Sequence, residues 1–190
     1  MLSSAKKNGI LSMAALTLMA ASLGAHAKSN VADAAMAQVN ITATVTGGTC
    51  TPSWSSTSPV AVVLGKVSDT DMAGKGDIGS MRPFTLSLTN CASGINKVSV
   101  MSVGTPDSLD TSAYANLSPA NAAKGVAVTL FGGSDQKTQM KPSGSSVDYA
   151  ISNGGADMVF LAKLERTTDS GTAITDGDLQ STATLYMTYE

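Results

Sequence analysis

The chain of 190 residues contains one histidine, His26, and it falls in a stretch that maturation is expected to remove. A mature chain without histidine has no Ser-His-Asp or Cys-His arrangement, and it lacks the side chain most used as a general base and metal ligand. Two cysteines with no histidine are too few soft ligands for a structural zinc site. No enzyme, no metal and no cofactor is therefore expected. Aromatic residues are also scarce, at 4%, so a core must be built from Val, Leu, Ala and Met. Charged residues make up 14% and form no block of one sign, which excludes a solvated acidic or basic tail. Asp176 and Asp178 are the nearest approach to a paired-carboxylate site. They flank Gly177 and read as a turn.

Long apolar runs are missing too, with one exception. Residues 10–23 are largely apolar and carry no charge; Lys6 and Lys7 precede them, and Ala25-His26-Ala27 follows. A basic start, an apolar middle and an A-x-A site together mark a secretory signal peptide over residues 1–27. The run is shorter than the roughly 20 residues a membrane span needs. Its removal leaves 163 residues (190 less 27), enough for one domain. With Lys6 and Lys7 gone, 10 basic residues face 14 acidic ones, a balance that argues against a nucleic-acid partner. In an exported chain, Cys50 and Cys91 read as one disulfide. It closes a loop of 41 residues (91 less 50), a constraint worth about 4 kcal/mol on chain-entropy arithmetic.

What the chain does have is two-residue alternation. Residues 39–45 place Val39, Ile41, Ala43 and Val45 on one face and Asn40, Thr42 and Thr44 on the other. An Ala-rich lead, 28–38, precedes this run and reads as flexible; Gly47-Gly48 comes after it as a joint. Further strands are expected at 60–64, 84–91, 97–103, 125–131, 157–166 and 179–189, with a short one near 149–151. Residues 69–82 and 132–146 read as loops, and 105–124 as a long connection with a short helical turn near 118–123. About seven strands and no long helix imply an all-β sandwich of Ig-like kind. In the last strand Leu185, Met187 and Tyr189 share one apolar face. Such an edge offers unpaired backbone groups to any matching strand, and residues 39–45 of another copy are the candidate to fill it.

These pieces occur in a distinctive order. An alternating strand leads to Cys50; Val60-Ala61-Val62-Val63-Leu64-Gly65 comes next; Phe84, Leu86, Leu88 and Asn90 lead into Cys91; and Ala183-Thr184-Leu185 precedes a penultimate Tyr189. In this the chain resembles the chaperone–usher pilins, similar to type 1 fimbrial subunits. The resemblance implies an incomplete Ig-like β-sandwich completed by a donor strand from another subunit, exported through the periplasm and built into a cell-surface fimbria. It implies three partners: a periplasmic chaperone, an outer-membrane usher and other pilin subunits. It divides the chain into a signal peptide (1–27), a donor-strand extension (28–46) and a pilin domain (47–190). Val39, Ile41, Ala43 and Val45 become donor residues, and Leu185, Met187 and Tyr189 the acceptor edge. Such donor strands often carry glycine where Ala43 stands.

Two alternatives remain open on the residues. Segment 39–45 folds back into its own sandwich, or the chain is a monomeric secreted carbohydrate-binding β-sandwich that uses Trp54 as a stacking ring. Asn40-Ile41-Thr42 and Asn116-Leu117-Ser118 have the form of N-glycosylation acceptors.

Overall fold

A computed structural model describes residues 35–45, 50–55 and 58–190. The expected signal peptide, the lead up to residue 34 and the Gly47-Gly48 joint lie outside these residues. The alternating segments form two five-stranded sheets packed as a sandwich. The first holds β1 (Ala35–Val45), β3 (Val60–Val67), β5 (Lys97–Gly104), β8 (Ser143–Ala150) and β10 (Leu179–Tyr189), in the spatial order β3-β1-β10-β5-β8. The second holds β2 (Thr51–Pro52), β4 (Ile78–Thr89), β6 (Val126–Gly132), β7 (Thr138–Gln139) and β9 (Ala156–Arg166), in the order β2-β4-β9-β6-β7.

Period-two alternation decides which side chains meet between the sheets. In β9, Met158, Phe160, Ala162 and Leu164 are buried, while Val159, Leu161 and Lys163 are half-exposed. The few aromatics cluster: Phe84 stacks on Phe160 at 5.2 Å between centroids, and Tyr149 meets Phe160 edge-on at 5.5 Å. Apart from Tyr114 and Cys50, the rest of the buried core is aliphatic or Met, with Leu86, Leu88, Val98, Val100, Leu130 and Met140 among its members. The Cys50–Cys91 disulfide forms and ties the entry to β2 to the exit from β4, since β2 pairs with the last residues of β4.

Four segments depart from the sequence reading. Residues 35–38, expected in the flexible lead, belong to β1. β4 begins at Ile78, inside the loop expected over 69–82. Gly79 is needed there because Val67 and Met72 lie so close that a Cβ would collide with both side chains. β8 begins at Ser143, inside the loop expected over 132–146. Its start, Ser-Gly-Ser-Ser, carries no apolar alternation and takes its strand geometry from the β5 ladder. No helical turn forms at 118–123; Ala122 bridges Asp178 and Lys124 bridges Thr175 instead.

Candidate functional site: a strand in a two-walled groove

β10 is the centre of the site. Its inward residues Leu179, Ser181, Ala183, Leu185 and Met187 are all buried, and the residues between them are half-exposed or exposed. On one side it pairs antiparallel with β5, from Ala183 opposite Gly104 to Tyr189 opposite Val98. On the other side lies β1, running parallel to it, from Ala37 opposite Leu179 to Val45 opposite Met187. This is the one parallel pair of strands among the described residues; the remaining strand pairings are antiparallel.

β1 presents the face the alternation predicts. Val39, Ile41 and Ala43 are buried at 5% exposure or less; Gln38 is exposed, and Asn40 and Thr42 are half-exposed. The expected donor and acceptor residues are therefore brought together. Ala43 lies opposite Leu185 and Val45 opposite Met187 in the register. Tyr189 sits beyond the last of these pairs and is half-buried. Burial raises its phenol above the usual value, and its enclosed hydroxyl has no hydrogen-bond partner among the described residues. In this single chain the strand that fills the gap is the chain's own, which is the folded-back alternative and not the neighbour's strand expected from the sequence.

The sequence reading named one wall of the groove, and there are two. β1 also pairs antiparallel with β3, from Ala35 opposite Val67 to Ile41 opposite Val60. The register shifts between Ala37 and Gln38, so that Leu64 is the extra residue on β3. An extra residue reverses the in–out parity of the strand beyond it. Val62 and Leu64 face the core before it, and Val67 does so after it, leaving Lys66 exposed. Gly65, at φ +85, supplies the backbone conformation the shift uses.

Polar contacts hold the start of β10 on the side that β5 does not reach. Leu117 N donates to Gln180 O, and Gln180 N donates to Asn116 Oδ1. Asn116 Nδ2 donates to Ala123 O and Asp178 O, and Ser181 Oγ to Ala115 O at 2.7 Å. Residues 114–118 thus stand in for the missing upper half of β5. Both amide hydrogens of Asn116 are engaged in these bonds. At the other end, Lys97 Nζ lies 2.8 Å from Glu190 Oε2 and 3.3 Å from Asp148 Oδ2. Hydrogen bonds to Glu190 and then Asp148 raise the Lys97 amine above its usual value.

The other sequence candidates are not assembled into a site. Asp176 and Asp178 are not buried against one another in a pocket, and Asp178 meets residues 121–123 through its main chain. Among the described residues no group of three His, Cys, Asp or Glu is placed to hold a metal. Trp54 is half-buried against the core with its Nε1 enclosed, so its ring is not freely presented for stacking. Asn116, Ser181 and the β3 wall escaped the sequence reading. The apolar run of residues 60–64 marks a strand, but nothing in it says which strand lies beside it.

A family model described as fimbrial protein matches residues 39–190. The major fimbrial subunit SMF-1 of Stenotrophomonas maltophilia is 29% identical over 165 residues, covering 83% of this chain and 95% of that protein. The uncharacterized fimbrial-like protein YcbV of Escherichia coli is 27% identical over 152 residues, covering 80% and 85%. Among solved structures, the P pilus rod subunit PapA superposes with a TM-score of 0.60 at 18% identity, covering 75% of this chain and 100% of that one. The fold is shared with it.

Proposed function

Because this chain belongs to the fimbrial protein family, it is a structural subunit of a surface pilus that assembles with other pilin subunits, and we propose that it joins them by exchanging β1. In this reading Val39, Ile41, Ala43 and Val45 enter the groove of one neighbour. Leu185, Met187 and Tyr189, with the β3 wall, receive the strand of another. The observation that carries the proposal is the position of β1. It is the first described strand, yet it sits between two later strands and completes their core. Burying Val39 and Ile41 contributes about 1.5–3 kcal/mol each, so whichever strand occupies this position supplies much of the fold's stability.

The direction of β1 supports exchange over permanent self-closure. Its own β1 runs parallel to β10 over nine register positions and antiparallel to β3 over seven. Parallel pairing is slightly less stable per residue than antiparallel pairing. A neighbour's strand inserted in the reverse direction makes the longer ladder antiparallel and the shorter one parallel. Alternation every two residues survives reversal, so the same apolar face still points inward. Main-chain bonds supply affinity in either direction, as in strand addition generally.

The proposed life cycle extends from export to the fibre. Residues 1–27 direct export, 28–46 form the donor extension and 47–190 the acceptor domain. The disulfide forms in the periplasm, a chaperone occupies the groove there, and an usher in the outer membrane releases subunits into the fibre. The test is to incubate residues 28–190 at increasing concentration with a fluorescent peptide of residues 36–46. Growth of fibres with concentration, and capture of the peptide by wild-type chain, are the expected results. A chain that remains monomeric and takes up no peptide overturns the reading.

A further inference from the structure

Exchange raises a question that the filled groove conceals: what holds β3 when β1 leaves. β3 is an edge strand whose ladder partner is β1 alone. Release of β1 removes that whole ladder. A groove that pairs with a strand on both sides needs its walls kept about 9.5 Å apart, two inter-strand spacings, with nothing between them.

The inward side chains Val62, Leu64 and Val67 still pack on the core, and polar contacts remain on β3 and its continuation. The Ser80 hydroxyl donates to Leu64 O at 2.6 Å. The second is larger. Arg166 ends β9 and is 6% exposed. Its Nη1 donates to Met72 O at 2.7 Å and Ala73 O at 3.0 Å, in the connection leaving β3. Its Nε donates to Thr168 O at 3.0 Å, and its Nη2 to Asp169 O and Thr172 O, both at 2.8 Å, in the connection leading into β10. The main chain joins in: Gly76 N donates to Arg166 O, and Arg166 N to Asp77 O. One guanidinium thus gathers the stretch of chain that continues one wall and the stretch that begins the other. The rigid fork of five donors suits this; a lysine ammonium has three and no fork. All five hydrogen bonds go to main-chain carbonyls, and no ion pair to Arg166 occurs among the described residues.

We propose that Arg166 is the positioning residue of the groove: it keeps β3 beside the entry to β10 while β1 is out of the groove, so that an incoming strand finds both walls in place. The proposal rests on the strand-exchange reading given above. Its role goes beyond ordinary fold stability, because it acts in the interval when β1 is absent.

The experiment compares wild type, Arg166→Lys and Tyr149→Phe in the chain 28–190. Tyr149 lies in β8, at the opposite edge of the sheet from β3, and the phenylalanine removes its hydroxyl bonds to Gly133 N and Val159 O. Hydrogen–deuterium exchange measures how often β1 opens, and the fluorescent peptide of residues 36–46 measures capture. In wild type, the amides of Gly76 and Arg166 are expected to stay protected while those of β1 exchange. In Arg166→Lys they exchange together with β1. Peptide capture per opening event then falls about tenfold or more, the factor expected from losing even one hydrogen bond to a charged group. Tyr149→Phe lowers Tm but leaves capture per opening unchanged. Should Arg166→Lys fail to fold, wild type carries the test: amides of Gly76 and Arg166 that exchange together with β1 overturn the proposal. An Arg166→Lys chain that loses Tm yet captures peptide per opening at the wild-type rate overturns the proposal while exchange stands. Wild type that captures no peptide brings down the exchange reading, and this inference with it.

Discussion

Truncating Ile41 to alanine measures the energetic weight of β1 directly. Ile41 is fully buried, opposite Ala183 of β10 and Val60 of β3. The change removes three carbons. At about 0.8 kcal/mol each, transfer alone accounts for about 2.4 kcal/mol. The cavity left behind raises the expected loss to about 3 kcal/mol, within the range of about 2–5 for such truncations. That is roughly a hundredfold in the folding equilibrium, against a total stability of about 5–15 kcal/mol for a domain. Urea unfolding of residues 28–190 should show a lower midpoint with an unchanged slope, since the surface exposed on unfolding is nearly the same. In mixtures with wild type, Ile41→Ala should accept a strand normally and donate one poorly. A loss below about 0.5 kcal/mol, the size of a surface substitution, would refute the reasoning, because β1 would then not be seated in the core in solution.

Three further outcomes rest on named contacts. Asn116→Ala removes the four hydrogen bonds of its side chain, two of them to Asp178 and Gln180 at the start of β10; a loss of about 2–3 kcal/mol is expected, seen as a fall in Tm of about 4–12 °C. Reducing the Cys50–Cys91 disulfide frees a separation of 41 residues and should cost about 4 kcal/mol, read as a lower urea midpoint in reductant. The Asp148 carboxyl is held below its usual 3.8, first by a Ser99 hydrogen bond and then by Lys97. Its contribution is therefore present above pH 3.8 and is lost as pH falls through the folded value. The Lys97 amine lies above its usual 10.5, so its contribution is present below that pH and is lost as pH rises through the folded value. Lys97→Met should remove the alkaline loss and weaken the acid one in a plot of Tm against pH.

The legible part of this fold is the part with strong apolar alternation. β5, β6, β9 and β10 could each be located from their own residues, because one buried face imposes a period of two, and β3 from its short apolar run ended by Gly65. The all-β sandwich followed from their number. β8 was legible only in its final residues, since Ser143 to Ser146 carry no hydrophobic signal and owe their geometry to β5. The start of β4 was hidden by glycines that read as loop punctuation, one of which serves close packing under Met72. At the site, Val39, Ile41, Ala43, Leu185 and Met187 were recoverable from alternation. Their direction and partner were not, because a period of two is the same read either way and says nothing of which strand lies alongside. Arg166 and Asn116 were invisible for another reason: each acts through main-chain groups far away in sequence, and carbonyls leave no trace in side-chain pattern.

The absence of histidine from residues 27–190 also bears on exchange itself. The inward faces of β1 and β10 carry Val, Ile, Ala, Leu, Ser and Met, none of which ionises, and Tyr189 is shifted upward, away from neutrality. The clamp at Arg166 is built on carbonyls, which do not titrate, and no side chain of ordinary pKa between pH 5 and 8 is present beyond His26. The steps of exchange, loss of one strand and gain of another, therefore change no side-chain protonation in that window. With the α-amino groups of chain and peptide acetylated, linkage then requires the exchange equilibrium to be flat there. Peptide capture by residues 28–190 should agree within about twofold at pH 5, 6.5 and 8, because twofold is only about 0.4 kcal/mol. A tenfold change across that range would mean that a charged group enters or leaves the groove during exchange, and that the apolar, main-chain account of strand affinity is incomplete.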